Sequence, residues 1–324
     1  MAEPADQLVP RQSASKLAVQ LIGFAVGAAL LGWCVYVAVN QGDWSRLASA
    51  RPWPIALLIA SSLVSLLANG TTFWTTIQPV RPLKWRDLML LNVLANLLNY
   101  APMRLGALAR FAYHLRVDRL PLLTIGAWFT CIAWFLVMGV GACAAATLVF
   151  PQLDWRWLLL LAGQLVLFGA LTRTLAGVRI VAQFGAGAQQ ILTSHSALWS
   201  GIGLRMVDIG AYVGRMTAAL MIVDIAMPAP HIVLLALVAI IANLIPFGRL
   251  GFREMAVTIA ALRLSEMGLD ASGMEEFRGD TGMWAQLALI ESAGEAIVAI
   301  PAGLAAVPWF RKRWRERADR SAIK

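Results

Sequence analysis

Long apolar runs separated by short polar gaps dominate this chain, and two shorter runs stop early at closely similar turns. Complete or near-complete runs cover about 17–39, 54–77, 121–150, 157–172, 197–224 and 283–308. As helices they are of the order needed to cross a hydrocarbon core of about 30 Å. The shorter runs, 88–101 and 231–245, would rise only about 21–22 Å. The first ends in Asn99-Tyr100-Ala101-Pro102-Met103-Arg104-Leu105-Gly106, the second in Asn243-Leu244-Ile245-Pro246-Phe247-Gly248-Arg249-Leu250-Gly251. Proline and glycine interrupt a helix, and an arginine inside lipid is costly. Each turn therefore predicts a half-crossing that bends back at mid-depth. The returning half-helices fall at about 104–117 and 250–264, which sets the hairpins at about 88–117 and 231–264.

This pattern predicts an all-α integral membrane protein with about six spanning helices and two re-entrant helical hairpins, eight hydrophobic segments in all. Composition agrees: 59% of residues are hydrophobic and 14% charged, where an ordinary soluble domain carries about 25% charged residues. The organisation expected is a short cytoplasmic tail at 1–16, one polytopic membrane domain at 17–308 and a basic cytoplasmic tail at 309–324. Trp44, Trp53, Trp85, Trp155, Trp157, Trp199, Trp284 and Trp309 fall at run edges, as an aromatic belt would.

Charge distribution discriminates between two topologies. With both hairpins re-entrant, 18 basic residues lie on the cytoplasmic side and five outside, whereas full crossings, which also bring Arg249 and Arg253 outside, give 13 against 12. The positive-inside rule favours the re-entrant arrangement with both termini cytoplasmic. The hairpins then enter from opposite faces and meet near the midplane, as in an inverted repeat. The competing explanation is a chance match of two turns in an Ala/Leu/Gly-rich chain. The net charge of +9 is read as a membrane-flank anchor and not as a nucleic-acid signature.

Candidate chemistry gathers at the turns. A returning half-helix presents free backbone N–H groups and a partial positive charge at its start. Arg104 and Arg249 at the tips, with Arg110 and Arg253 one or two turns on, add to this. Such a site suits an anion, phosphate above all. The alternative is that these arginines snorkel to the interface and set helix depth. Glu254 is expected to balance Arg253 or Arg249, or to take up a proton. Asn92, Asn96 and Asn99 form one polar stripe toward the first tip. Pro102, Gly106, Pro246, Gly248 and Gly251 shape the turns.

Further polar faces lie inside predicted spans. Arg205, Asp208, Tyr212 and Arg215 share one face of 197–224, and Glu291 and Glu295 lie four apart in the last span. Charges at that depth face a bundle interior or a wet cavity. Either a coupling role or simple mutual neutralisation fits them, and the closeness of the two glutamates favours one staying protonated. Gly23-x-x-x-Gly27 and Gly210-x-x-x-Gly214 predict close helix contacts. Cys34, Cys131 and Cys143 read as buried small residues without metal-ligand spacing, and His114, His195 and His231 as interfacial or loop residues. Residues 176–194 resemble an amphipathic segment on the cytoplasmic surface. No G-x-x-x-x-G-K-[ST] or G-x-S-x-G motif is present. No metal, cofactor or catalytic residue is expected.

The two turns resemble motifs of the flippase-like membrane domain of lysylphosphatidylglycerol synthases. In that family one motif runs Pro-x-Arg-x-Gly-Glu-x-x-Arg. Pro102, Arg104, Gly106 and Arg110 match it, with Ala107 in place of the glutamate. The second runs Pro-x-Gly-Gly-x-Gly-x-Arg-Glu. Pro246, Gly248, Gly251, Arg253 and Glu254 match it, with Arg249 where a glycine is usual. The resemblance covers roughly 15–308. It implies a stand-alone bacterial inner-membrane lipid translocase without the soluble aminoacyl-transferase domain, hence no lysyl transfer. Its partners would be anionic phospholipid or polyprenyl-phosphate lipids, with a lipid-synthesising enzyme as an optional protein partner. For a translocase, Arg104, Arg110, Arg249 and Arg253 are expected to hold the headgroup, with Glu254 tuning the charge and Asn96 and Asn99 as further substrate-binding residues. The alternative is an intramembrane enzyme, or an enzyme partner, acting on a polyprenyl-phosphate, glycolipid or hopanoid lipid.

Overall fold

Helices account for nearly every residue described by the computed structural model, which covers 14–101, 105–177, 186–245, 251–266 and 280–322. In chain order they are α1 (Ala14–Gln41), α2 (Trp44–Ala48), α3 (Pro52–Ile77), α4 (Trp85–Leu98), α5 (Leu105–Arg116) and α6 (Leu122–Val149). There follow α7 (Trp155–Ala176), α8 (Ala188–Thr193), α9 (His195–Ile222), α10 (Ala229–Ala242), α11 (Phe252–Glu266) and α12 (Thr281–Ala322). No strand occurs among the described residues. Helix starts carry local signals. Prolines stand at the first turns of α3 and α10, where a missing N–H costs nothing. Asp154 caps α7 by accepting from the N–H groups of Arg156 (3.0 Å) and Trp157 (3.1 Å).

Among the described residues five helices are long and apolar enough to cross a membrane, at Ala18–Gln41, Pro52–Ile77, Leu122–Val149, Trp155–Ala176 and Thr281–Glu316. The chain is therefore an all-α, multi-pass membrane protein. The sixth expected span, α9, has 28 residues but carries Arg205, Asp208 and Arg215, all buried. Its charges are tolerated because other helices cover them. α4 and α10 have 14 residues each, α5 has 12 and α11 has 15. None of these four exceeds about 23 Å, so no arm of either hairpin alone spans the hydrocarbon core.

A long helix, two short ones and another long one occur in succession twice: α3–α6 and α9–α12. Packed pairs exchange between the sets: α3 on α4 matches α9 on α10, and α5 on α6 matches α11 on α12. Cross pairs exchange as well, since α4 packs on α12 and α10 on α6. α3 and α9 form the central pair and run antiparallel. Ser61 abuts Gly214, Ser65 meets Asp208, and Thr76 lies against Gly201. Two similar units with opposed directions make an inverted repeat. The Asn92 amide donates to the Leu66 carbonyl (3.0 Å) and the Asn243 amide to the Tyr212 hydroxyl (2.9 Å). Leu66 and Tyr212 lie near the middles of α3 and α9, so both hairpins reach mid-length on the central pair.

Some individual expectations change. Trp284 is fully buried, because α12 packs beside α1, and so it does not join an aromatic belt. His114 is buried rather than interfacial: its Nδ1 lies 2.7 Å from Asp118 and its ring 4.9 Å from Trp128. His231 is buried too. Residues 309–322 of the basic C-terminal segment are helical, continuing α12 through Pro301 and Pro308. Of the expected amphipathic stretch 176–194, only Ala188–Thr193 is a helix of its own, and 178–185 lie outside the described residues.

Candidate functional site

Where the two hairpins meet the central pair, the helices enclose a cavity of about 320 Å³. Asn96, Asn99, Ala107 and Arg110 of the first hairpin line one side, and Ile240, Asn243 and Leu244 of the second line another. α3 contributes Ser62, Ser65, Asn69 and Phe73, while α9 contributes Arg205, Asp208 and Tyr212. Glu295, Val298 and Ala299 of α12 and Phe129, Ile132, Ala133 and Leu136 of α6 complete the wall. Close approach of the arms builds it. Gly106 leaves room where a Cβ would overlap the Ala95 carbonyl and the Asn99 amide. Gly251 has φ +84°, and a Cβ there would overlap the Gly27 carbonyl of α1. Glycine alone meets both demands at that position.

The electrostatics of the cavity turn on one arginine. Arg110 is buried; its guanidinium donates to the Asn92 side-chain oxygen and lies 4.2 Å from the Phe73 ring centre. Both partners are neutral, and among the described residues no carboxylate forms an ion pair with it. Every other described arginine near the cavity has an acid. Arg205 donates to Asp208 at 3.1 Å, and Asp208 also accepts from the Ser65 hydroxyl at 2.6 Å. Behind Tyr212 four charges are paired with one another. Arg215 pairs with Glu291 and Glu295 at 3.0 Å each, and Arg253 pairs with Glu295 at 2.8 Å and also with Glu291. The Tyr212 ring lies 4.0 Å from the Arg215 guanidinium carbon and 5.8 Å from that of Arg253. Isolated charges at this depth would be very costly, so the pairing keeps the set in place. Among the described residues, Arg110 is the cavity charge without an ion-pair partner.

Of the two partners expected for Glu254, Arg253 lies elsewhere and Arg249 is outside the described residues. It accepts from the Gly251 N–H at 2.7 Å and from the Ser292 hydroxyl, and neither Arg253 nor any other described arginine pairs with it. As the third residue of α11 it closes half of a capping box, at the positive end of the helix dipole. Arg253 and Glu254 are adjacent, and neighbours on a helix do not face each other. Arg253 instead reaches across to α12.

The structure thus brings Asn96, Asn99, Arg110, Arg205, Asp208 and Glu295 to one cavity. It sets Arg215, Arg253 and Glu291 behind that wall and Glu254 at a helix cap. Arg104, Arg249, Pro102, Pro246 and Gly248 lie outside the described residues. Ser62, Ser65, Asn69 and Asn243 are wall residues that the sequence reading passed over. A signal for the first three exists: Ser62, Ser65, Asn69, Thr72 and Thr76 recur every three or four positions along α3. Asn243 sits at its turn as Asn99 does at the first.

Among the described lining residues only Ala133 and Leu244 are exposed. Ala133 lies near the middle of α6 beside the exposed Trp134 and Val137, and Leu244 follows the exposed Ile241 of α10. The described exposed edge of the cavity, on α6 and the second hairpin, is thus apolar.

Compared with known proteins, the chain matches no protein-family model, no curated protein and no solved structure.

Proposed function

We propose that this chain is a flippase-like lipid translocase that moves an anionic or phosphate-bearing lipid between the leaflets of the bacterial inner membrane, with both termini cytoplasmic. Arg110 carries the reading. A buried guanidinium that faces a cavity with only neutral partners is completed by an anion, and phosphate offers the charge and the oxygen acceptors it needs. The apolar exposed edge supports a lipid over a water-soluble ion: the headgroup occupies the polar interior while the acyl chains pass between Ala133 and Leu244. The inverted repeat supports movement across the bilayer, and the resemblance carried by the two turns implies the same activity. Lipid chemistry would need a free acid or base at the cavity, but Asp208 and Glu295 are both held by arginines.

The test is transfer of chain-labelled phosphatidylglycerol in reconstituted vesicles, read by dithionite quenching. Arg110→Gln should slow transfer about 10–100-fold, the loss of one charged hydrogen-bonding partner, with the protein still folded. Equal rates for Arg110→Gln and the unaltered protein would overturn the assignment.

A further inference from the structure

The inverted repeat contains two related seams, and they are not equally closed. α10 meets α6 at the exposed edge of the cavity, where Ile241 (52%) and Leu244 (49%) are exposed. The related seam, α4 against α12, is sealed. No residue of α4 from Asp87 to Leu98 is exposed. Gly303 lets α12 approach so closely that a Cβ would overlap Leu97, and ten residues further along both helices Arg313 pairs with Asp87 at 3.2 Å. Two units built alike thus leave one seam exposed and the other sealed.

The sealed seam also contains a built-in weak point. Pro301, Gly303 and Pro308 fall within this stretch of α12. Each proline removes a helical hydrogen bond, and glycine adds backbone freedom. The preceding turns are held elsewhere: Glu291 and Glu295 bind Arg215 and Arg253, and Ser292 binds Glu254. The part of α12 that covers α4 can therefore swing while the charged part stays fixed.

We infer that the α4–α12 seam is a second lipid portal, closed in this form, which opens as the α6–α10 portal closes. The inference rests on the translocase reading and adds its route. The two portals lie beside hairpins that approach the middle from opposite ends of the antiparallel pair, so alternate opening exposes the same cavity to one leaflet and then the other. The headgroup stays near Arg110 while the walls exchange roles.

A reversible bond across the seam tests this. Leu97→Cys with Gly303→Cys is placed in a chain whose Cys34, Cys131 and Cys143 are replaced by alanine. A second pair, Asp87→Cys with Arg313→Cys, lies at the half-exposed end of the same seam, where folding is less sensitive, and is joined by a bifunctional thiol reagent containing a disulfide, because an arginine–aspartate pair holds its backbones farther apart than a direct bond reaches. Vesicles carry chain-labelled phosphatidylglycerol in phosphatidylcholine. Cross-linking, by oxidation for the first pair and by the reagent for the second, should slow transfer at least tenfold, and reduction should restore it. Equal rates in both states, with the bond verified, would overturn the second portal and leave the translocase reading standing. Absence of transfer by the unaltered protein would overturn both.

Discussion

Each hairpin places an arginine on its returning arm, yet the two are treated in opposite ways. Arg110 in α5 has an asparagine and a phenyl ring for company and faces the cavity. Arg253 in α11 is bound by two carboxylates and lies behind the wall. The second arrangement holds three helices together. On the proposed reading the first is completed by a ligand. Similar sequence turns within one repeat would then be divided between structure and binding, with charge pairing, not position in the turn, telling them apart.

The largest effect should come from breaking the set of four paired charges. Arg253→Ala leaves two buried glutamates with one arginine and should cost about 3–5 kcal/mol, seen as a lowered melting temperature in detergent. Arg110→Ala loses a hydrogen bond and a ring contact and should cost only about 1–2 kcal/mol. Equal losses would erase the distinction between the two arginines. Next come the glycines. Gly251→Ala suffers both the left-handed backbone and overlap with α1, about 2–4 kcal/mol. Gly106→Ala suffers overlap alone, about 1–3 kcal/mol. The same melting series orders them, and a reversed order would show that α1 yields more easily than α4. The smallest effect is expected for Asn243→Ala, which removes the hydrogen bond to Tyr212. About 1 kcal/mol of stability should go, with the arginine set intact and with transfer less impaired than by Arg110→Gln.

Much of the architecture was legible in the sequence because membrane helices announce themselves by length and apolarity. The hairpins were readable for a related reason: Pro102 and Pro246 end short apolar runs whose helices, α4 and α10, have only 14 residues each. The asparagine stripe was visible too, since Asn92, Asn96 and Asn99 share a helix face. What could not be read was which charges cancel. Arg253 finds its acids 38 and 42 positions away, and only tertiary packing brings them together. Sequence adjacency pointed to Glu254 instead, which the turn of the helix directs elsewhere. The spacing of Glu291 and Glu295 suggested mutual repulsion, but two guanidinium groups stand beside them. The serines of α3 escaped notice because a hydroxyl hardly lowers the apolarity of a run. They line the cavity all the same.

The 42 residues of α12 form a rod of about 63 Å, twice the thickness of the oily layer it must cross. Glu295 and Ala299 fix its height at the cavity wall, so the surplus length emerges at the end bearing Trp309, Arg311, Lys312, Trp314 and Arg315. That end works as a ruler. A thicker bilayer draws its cations toward hydrocarbon and a thinner one strands its aromatic rings in water, and either strain falls on the turns next to α4.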